Sequence, residues 1–311
     1  MSDIHFVISA PRSGSTWLTN ALNHHPEIFS TEHRLFGNFS EIWQNNDGTS
    51  SPRITLEAFI ESFAGHYFHS ELGLSRSQFI NQFQRTLTNS IVRFGSGRSD
   101  KKLIVDKITP YPGTSKDVVR QVKKFFPDAS IIQLIRDGRD VLTSGTFDWI
   151  LKDSHGTDRY QFFHKQKKGL RLRRFFDHDA ICKWAQNWKE TVQIFEDEAP
   201  SLMIKYEDML DDQPNALCKI FKLLNVADDT EIAKSAAEKT TFKKVTGRES
   251  GDMIPTAKAR KGIRGDWKNY FSRIDGRIFH SIAGDQLLST GYESDPKWFE
   301  QLPEELSFAD Q

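Results

Sequence analysis

The string FVISAPRSGSTWLTNAL, residues 6–22, limits the fold of this chain more than any other stretch. Residues 4–9 form an unbroken apolar run, which reads as a strand buried on both faces. Pro11, Arg12, Ser13, Gly14, Ser15 and Thr16 then interrupt it, and a helical pattern follows at once. A strand that passes through a small polar loop into a helix N-terminus points unpaired N–H groups at an anion. Such an opening implies a sheet with helices packed on it and a phosphate-type ligand at the strand's carboxyl end.

The rest of the chain repeats the pattern. Short apolar runs at 103–105, 130–135 and 202–206 read as further buried strands. Between them, helical spacing links Leu56, Phe59, Ile60, Phe63, Ala64 and Tyr67, and again Phe79, Phe83, Leu87, Ile91 and Phe94. The same spacing links Ile181, Trp184, Ala185, Trp188, Val192 and Phe195, and then Leu217, Ile220, Phe221 and Leu224. These aromatic stripes read as core faces. Alternating strands and helices predict an α/β fold with a central, mostly parallel sheet flanked by helices. Without an internal repeat, a linker or a break in composition, residues 1–311 are expected to form one domain.

Lys plus Arg and Asp plus Glu each number 42, so nothing favours nucleic acid or a membrane surface as partner, and any anion site must be local. Cys182 and Cys218 both fall in helical patterns and read as core thiols of a reducing compartment. Metal-ligand spacing is lacking. The first apolar run is too short for a signal-peptide core, so a cytoplasmic location is expected.

Three segments bear on chemistry. In the first, SAPRSGST, residues 9–16, a Ser stands where a triphosphate loop carries its Lys, and the cation moves forward to Arg12. A phosphate cradle remains, while a triphosphate with Mg²⁺ does not follow. The second, IIQLIRDGRDVLTSGTF, residues 131–147, is a strand breaking into a charged turn and helix. Arg136 leaves the strand end and Ser144 returns to it two helical turns later, so both can reach one phosphate. The alternative for this segment is a surface Arg139 in solvated ion pairs with Asp137 and Asp140. The third, RKGIRGDWKNYFS, residues 260–272, is a basic, glycine-containing loop in which Arg260 and Lys261 supply charge for a second phosphate. Its alternative is a mobile basic loop.

In this order and register, the three segments resemble the PAPS-dependent sulfotransferases, whose donor is 3′-phosphoadenosine 5′-phosphosulfate (PAPS). The likeness spans nearly the whole chain and implies the P-loop-like sulfotransferase fold. PRSGSTWL is similar to the family's 5′-phosphosulfate loop, IRDGRDVLTS to its 3′-phosphate strand and helix, and RKGIRGDWKNYF to the C-terminal loop of the cytosolic enzymes. The resemblance implies that Arg12, Ser13, Gly14, Ser15 and Thr16 hold the 5′-phosphosulfate, and that Arg136, Ser144, Arg260, Lys261 and Gly262 hold the 3′-phosphate. Trp17 falls where the family places an adenine-stacking aromatic. IKYEDML implies an adenine contact from Tyr206, and KTTFKK one from Thr240 or Thr241 together with Phe242. Stacking between Trp17 and Phe242 would hold the base by its faces.

The chain also departs from the cytosolic steroid and phenol enzymes, which carry Lys at the place of Arg12 and a catalytic His in the segment that here reads VDKITPYP. Arg12 and HPEIFSTEHRLFG, residues 25–37, look more like the tyrosylprotein sulfotransferases and their bacterial relatives, where a Glu at the STEHR position is the base. The resemblance thus makes Glu32 the first choice of base, with Asp106 and His33 as alternatives, and gives Lys107 and Arg12 the charge on the transferring group. A Glu32–Arg34 surface pair is the structural alternative. The implied donor is PAPS without a metal, and the acceptor is a hydroxyl of a small molecule, glycan or peptide, with an amine as the variant. Two rival functions stay open: a non-catalytic 3′-phosphonucleotide-binding module and a divergent P-loop kinase. The oligomeric state has no signature. KQKKGLRLRR, residues 165–174, reads either as a solvated helix face or as a surface for an anionic acceptor.

Overall fold

The computed structural model describes residues 4–32, 42–44, 50–52, 73–95, 101–110, 115–152, 170–254, 257 and 259–308. The expected helix over 56–67, together with His33 and Arg34, lies outside these residues.

The strands are β1 (Ile4–Ile8), β2 (Ile28–Thr31), β3 (Ile42–Gln44), β4 (Ser50–Pro52), β5 (Leu103–Ile108), β6 (Ile131–Ile135), β7 (Leu170–Leu172), β8 (Leu202–Lys205) and β9 (Leu306–Phe308). Five of them form one sheet in the order β2-β5-β1-β6-β8, and every pairing is parallel. β1 and β6 are buried at every position, as their unbroken apolar runs require. β5 runs past the expected end at Val105 through Asp106 and Lys107 to Ile108. Charge marked a strand end in the sequence, whereas register with β1 pairs Asp106 with Phe6 and Lys107 with Val7.

Helices cover both faces. They are α1 (Ser15–Leu22), α2 (Arg76–Gly95), α3 (Ser115–Phe125), α4 (Gly138–Lys152), α5 (His178–Glu198), α6 (Tyr206–Asp211), α7 (Gln213–Leu224), α8 (Thr230–Lys239), α9 (Phe242–Thr246) and α10 (Arg273–Ser289). Val7, Val105, Ile132, Leu134 and Ile204 share one face and pack with Leu18 of α1, Leu217 and Phe221 of α7 and Ala233 of α8. Phe6, Ile8, Ile104, Ile108 and Ile131 share the other, against Val118 and Val122 of α3. Strand alternation produces this division. A third cluster joins Val141 and Leu142 of α4, Trp188 of α5 and Phe279 of α10 around Trp267, Tyr270 and Phe271.

Arg139 belongs to that cluster, which rules out its reading as a surface residue. It is 1% exposed, its guanidinium lies 3.8 Å from the Trp267 ring and 4.5 Å from that of Trp298, and it pairs with Asp137 and Glu293. A buried cation needs both the carboxylates and the aromatic faces to offset its lost hydration.

β7 pairs antiparallel with β9, so Leu170–Leu172 of the basic segment is a strand and not a helix face; residues 165–169 lie outside the described part. β3 and β4 form a second antiparallel pair. Cys182 and Cys218 are free thiols, both half-buried, and Cys218 packs against the core cluster that includes Leu217 and Phe221. Among the described residues, no helix is long and apolar enough to cross a membrane.

Candidate active site

Every strand of the sheet delivers a chemically equipped residue at its carboxyl end. β1 leads into Arg12, β2 into Glu32, β6 into Arg136 and β8 into Tyr206, while β5 carries Lys107 as its penultimate residue. A parallel sheet sends all of these ends to one side, where ligands of such folds bind. A cavity of about 790 Å³ lies there.

The cavity is lined by Arg12, Gly14, Ser15, Thr16, Trp17, Arg136, Ser144, Tyr206, Thr240, Thr241, Phe242, Arg260, Lys261 and Gly262. Residues as far apart as Arg12 and Gly262, 250 positions along the chain, are thus brought together. Ser13 is not among them: it is fully buried beneath the loop, and its Oγ has no hydrogen-bond partner among the described residues.

The loop after β1 has an unusual backbone. Arg12 (φ 69°) and Gly14 (φ 89°) both adopt the left-handed region, and Gly14 caps α1. A Cβ on Gly14 would stand 2.5 Å from Cδ2 of Tyr206, so backbone strain and lack of space both require glycine. Arg12, left-handed without being glycine, is held at several points. Its carbonyl accepts from Arg136 Nη1 at 3.1 Å, its Nε donates to Ser144 Oγ at 3.1 Å, and its Nη1 lies 3.5 Å from Asp148. Burial lowers the Arg12 pKa, Asp148 supports the charge, and Arg136 and Arg260 oppose it.

Arg136 rises from the end of β6 with its guanidinium 4.4 Å from the Tyr206 ring centroid, and its Nη2 donates to the Ile263 carbonyl at 3.0 Å. The loop over 260–270 is tied to the same place from below. Asp140 accepts from Gly265 N at 2.7 Å and from Trp267 N at 2.9 Å. Burial raises the Asp140 pKa despite Arg136 nearby and these two donors. Asp266 then holds Lys261 at 2.8 Å and pairs with Arg260. Arg260 also lies over Phe147, 4.4 Å from its centroid. The Nε groups of Arg136 and Arg260 are buried with no hydrogen-bond partner among the described residues.

The aromatic end of the cavity is anchored as firmly. Trp17 Nε1 donates to the Thr240 carbonyl at 2.8 Å, and its ring meets Tyr206 edge-on at 5.7 Å. The Thr240 hydroxyl accepts from Gln213 and donates to Ala236 O, while that of Thr241 caps α9 by accepting from Lys244 N. Gly262 (φ 66°) crosses the Phe242 ring so closely that a Cβ would overlap it.

Glu32 and Lys107 are not among the residues lining the cavity; they are 2.8 Å apart beside it, and Lys107 donates at 3.3 Å to Oγ1 of Thr16, which does line it. Glu32 therefore pairs with a strand lysine; Arg34, its partner in the alternative surface pair, lies outside the described residues. Asp106 is fully buried, and strand alternation turns it to the face opposite Lys107.

Several residues of the site carry no motif. Asp148 reaches Arg12 from α4. Arg248 lies over Phe242 at 5.1 Å and donates to the carbonyls of Asp252 at 2.6 Å and Arg260 at 3.0 Å, joining residues 248–254 to the basic loop. Asp140 and Asp266, which build that loop, lie inside the quoted segments IRDGRDVLTS and RKGIRGDWKNYF, but nothing in the sequence singles them out from the other charged residues there.

Known proteins resemble this arrangement at three levels. A human protein, sulfotransferase 2A1, is 25% identical over 179 residues, which cover 53% of this chain and 59% of that protein. Zebrafish sulfotransferase 6B1 is 28% identical over 120 residues, 36% of this chain and 37% of that one. The matched stretches thus span little more than half of the first relative and less of the second. The crystal structure of mouse sulfotransferase SULT7A1 complexed with PAP has a TM-score of 0.52 at 17% identity, covering 97% of this chain and 88% of that one, a likeness of fold. The model of the sulfotransferase family matches residues 5–230, from the first strand past the helix α7, and on that match the chain belongs to the sulfotransferase family.

Proposed function

We propose that this chain transfers a sulfuryl group from 3′-phosphoadenosine 5′-phosphosulfate to an acceptor hydroxyl and releases adenosine 3′,5′-bisphosphate. The observation that carries this reading is the pair of buried Nε–H groups on Arg136 and Arg260, both in residues lining the cavity that begins at the phosphate-type loop. A buried donor without an acceptor costs stability, and an oxyanion bound beside the loop would supply the acceptor. The 3′-phosphate of the donor would fill that place.

In this reading Arg12, Gly14, Ser15 and Thr16 hold the 5′-phosphosulfate, with the buried Ser13 inside the loop that carries them, and Arg136, Ser144, Arg260, Lys261 and Gly262 hold the 3′-phosphate. Trp17, Tyr206, Thr240, Thr241 and Phe242 hold the base. The site needs residues from both ends of the chain, which supports one domain over 1–311.

The donor supplies the sulfuryl group, and the chain supplies position and charge. Glu32 takes the acceptor's hydroxyl proton as the oxygen–sulfur bond forms on one side and the bond from sulfur to the bridging oxygen breaks on the other. Lys107 and Arg12 face the negative charge that develops on the bridging oxygen. The 2.8 Å contact supports Glu32, because it keeps the carboxylate beside the lysine that serves the same bond change. Asp106 lies on the opposite face of β5 from Lys107.

The test is incubation of the purified chain with PAPS and excess EDTA against a panel of phenols, alcohols, glycans and tyrosyl peptides, read by mass spectrometry. Sulfated product with release of the bisphosphate is expected, at a rate EDTA changes less than about twofold, because cations of the chain replace Mg²⁺. Tight bisphosphate binding without transfer to any acceptor would make the chain a binding module. ATP turnover restored by Mg²⁺ would make it a kinase.

A further inference from the structure

Ser144 and Asp148 stand one turn apart on α4 and so share a face of the helix. Both reach Arg12, Ser144 through its Nε at 3.1 Å and Asp148 through its Nη1 at 3.5 Å. The ion pair is shielded, with side chains 13% and 11% exposed, so solvent and salt weaken it little. Among the described residues, Arg136 and Arg260 oppose the charge of Arg12 and Asp148 supports it. The transfer scheme makes no use of Asp148. A carboxylate beside the cation that receives a phosphosulfate repels that ligand, and its presence there calls for a reason.

We propose that Asp148 is the resident counter-anion of Arg12, competing with the incoming oxyanion and thereby setting how tightly the donor and the spent nucleotide are held. Without ligand, Asp148 and Ser144 keep the Arg12 side chain extended along α4 and compensate its charge. When an oxyanion reaches Arg12 the compensation becomes redundant, and the carboxylate opposes the ligand. On departure of the product, Asp148 resumes the role, so the site empties without leaving a buried, unpaired guanidinium. Asp148 is thus a positioning residue that exchanges affinity for release. Only the identity of the oxyanion rests on the proposed donor; the competition holds for any oxyanion at Arg12.

The experiment uses Asp148→Asn, which removes the charge and keeps the shape. Its readouts are calorimetry with adenosine 3′,5′-bisphosphate and thermal unfolding in sodium sulfate against sodium chloride at equal ionic strength. The variant is expected to bind the bisphosphate about tenfold more tightly, from a like charge removed at close range in a shielded site. It is also expected to melt lower than wild type without ligand and to gain more from sulfate. A merely structural role would lower stability and affinity together. In an Arg12→Gln background the same substitution should change ligand binding by less than about twofold. Unchanged or weaker responses to both anions, or a gain that persists without Arg12, would overturn the proposal. A wild type that ignores the bisphosphate, beside a variant that still gains more from sulfate, would overturn the donor reading and leave the counter-anion standing. Should Asp148→Asn not fold, Asp148→Ser carries the same expectations and the same overturning results.

Discussion

Lys107 Nζ lies 2.8 Å from the Glu32 carboxylate, and the two arrive on neighbouring parallel strands, β5 and β2. Lys107 is 7% exposed and Glu32 31%, so one partner is set into the sheet and the other is accessible. That division suits a proton acceptor held in place by a fixed cation.

Glu32→Gln is accordingly expected to lower kcat by about 10²- to 10⁴-fold, the range for loss of a general base. Bisphosphate affinity should stay within about twofold of wild type, because no donor contact is removed. Steady-state kinetics beside calorimetry check both. A Glu32→Gln enzyme with near-normal kcat, beside a folded and inactive Asp106→Asn or His33→Gln enzyme, would move the role to that residue.

Arg136 has two jobs, and its replacement separates them. Its Nη atoms hold the carbonyls of Arg12 and Ile263, while its Nε, without a partner among the described residues, is assigned to the 3′-phosphate. Arg136→Ala should weaken adenosine 3′,5′-bisphosphate by about ten- to a hundredfold, the worth of a charge-assisted contact. Adenosine 5′-phosphosulfate, which lacks that phosphate, should lose only the smaller part due to a loosened Arg12 loop. Equal losses for both ligands would contradict the assignment.

Asp266 makes the basic loop sensitive to acid. Burial alone would raise its pKa, but Arg260 and Lys261 outweigh burial and hold the carboxyl below its ordinary value. The unfolded chain therefore takes up the proton more readily. The stabilisation is complete above the unfolded pKa of about 3.9 and is lost as pH falls through the folded value. At neutral pH, Asp266→Asn should cost about 3–5 kcal/mol, since it strands a buried Arg260. Chemical denaturation across pH should find that gap constant from about pH 8 to 5 and shrinking below about pH 4. A gap that widens on acidification would contradict the pairing.

Much of this was legible in the sequence, for physical reasons. β1, β5 and β6 announce themselves as apolar runs because the sheet is covered on both faces there, and β8 reads as a run although it is an edge strand with Met203 exposed. β2 does not: it is an edge strand of alternating burial, and Ser30 and Thr31 interrupt its apolar character. Arg12, Arg136 and Arg260 could be named because a cation beside a strand end or a glycine is a local pattern. The left-handed backbone of Arg12 and the burial of Arg139 between Trp267 and Trp298 depend on partners over a hundred residues away. Asp148 and Arg248 left no trace, because a carboxylate in a helix and an arginine in a loop look the same whether they face solvent or a cavity.

The central claim is that the cavity distinguishes nucleotides by a 3′-phosphate, and one calorimetric comparison tests it most directly. The wild-type chain is titrated in EDTA with adenosine 3′,5′-bisphosphate, adenosine 5′-monophosphate and ADP. Arg136, Arg260 and Lys261 should make the bisphosphate bind at least about tenfold more tightly than either of the others. Equal affinities for the three, or a preference for ADP, would contradict the account.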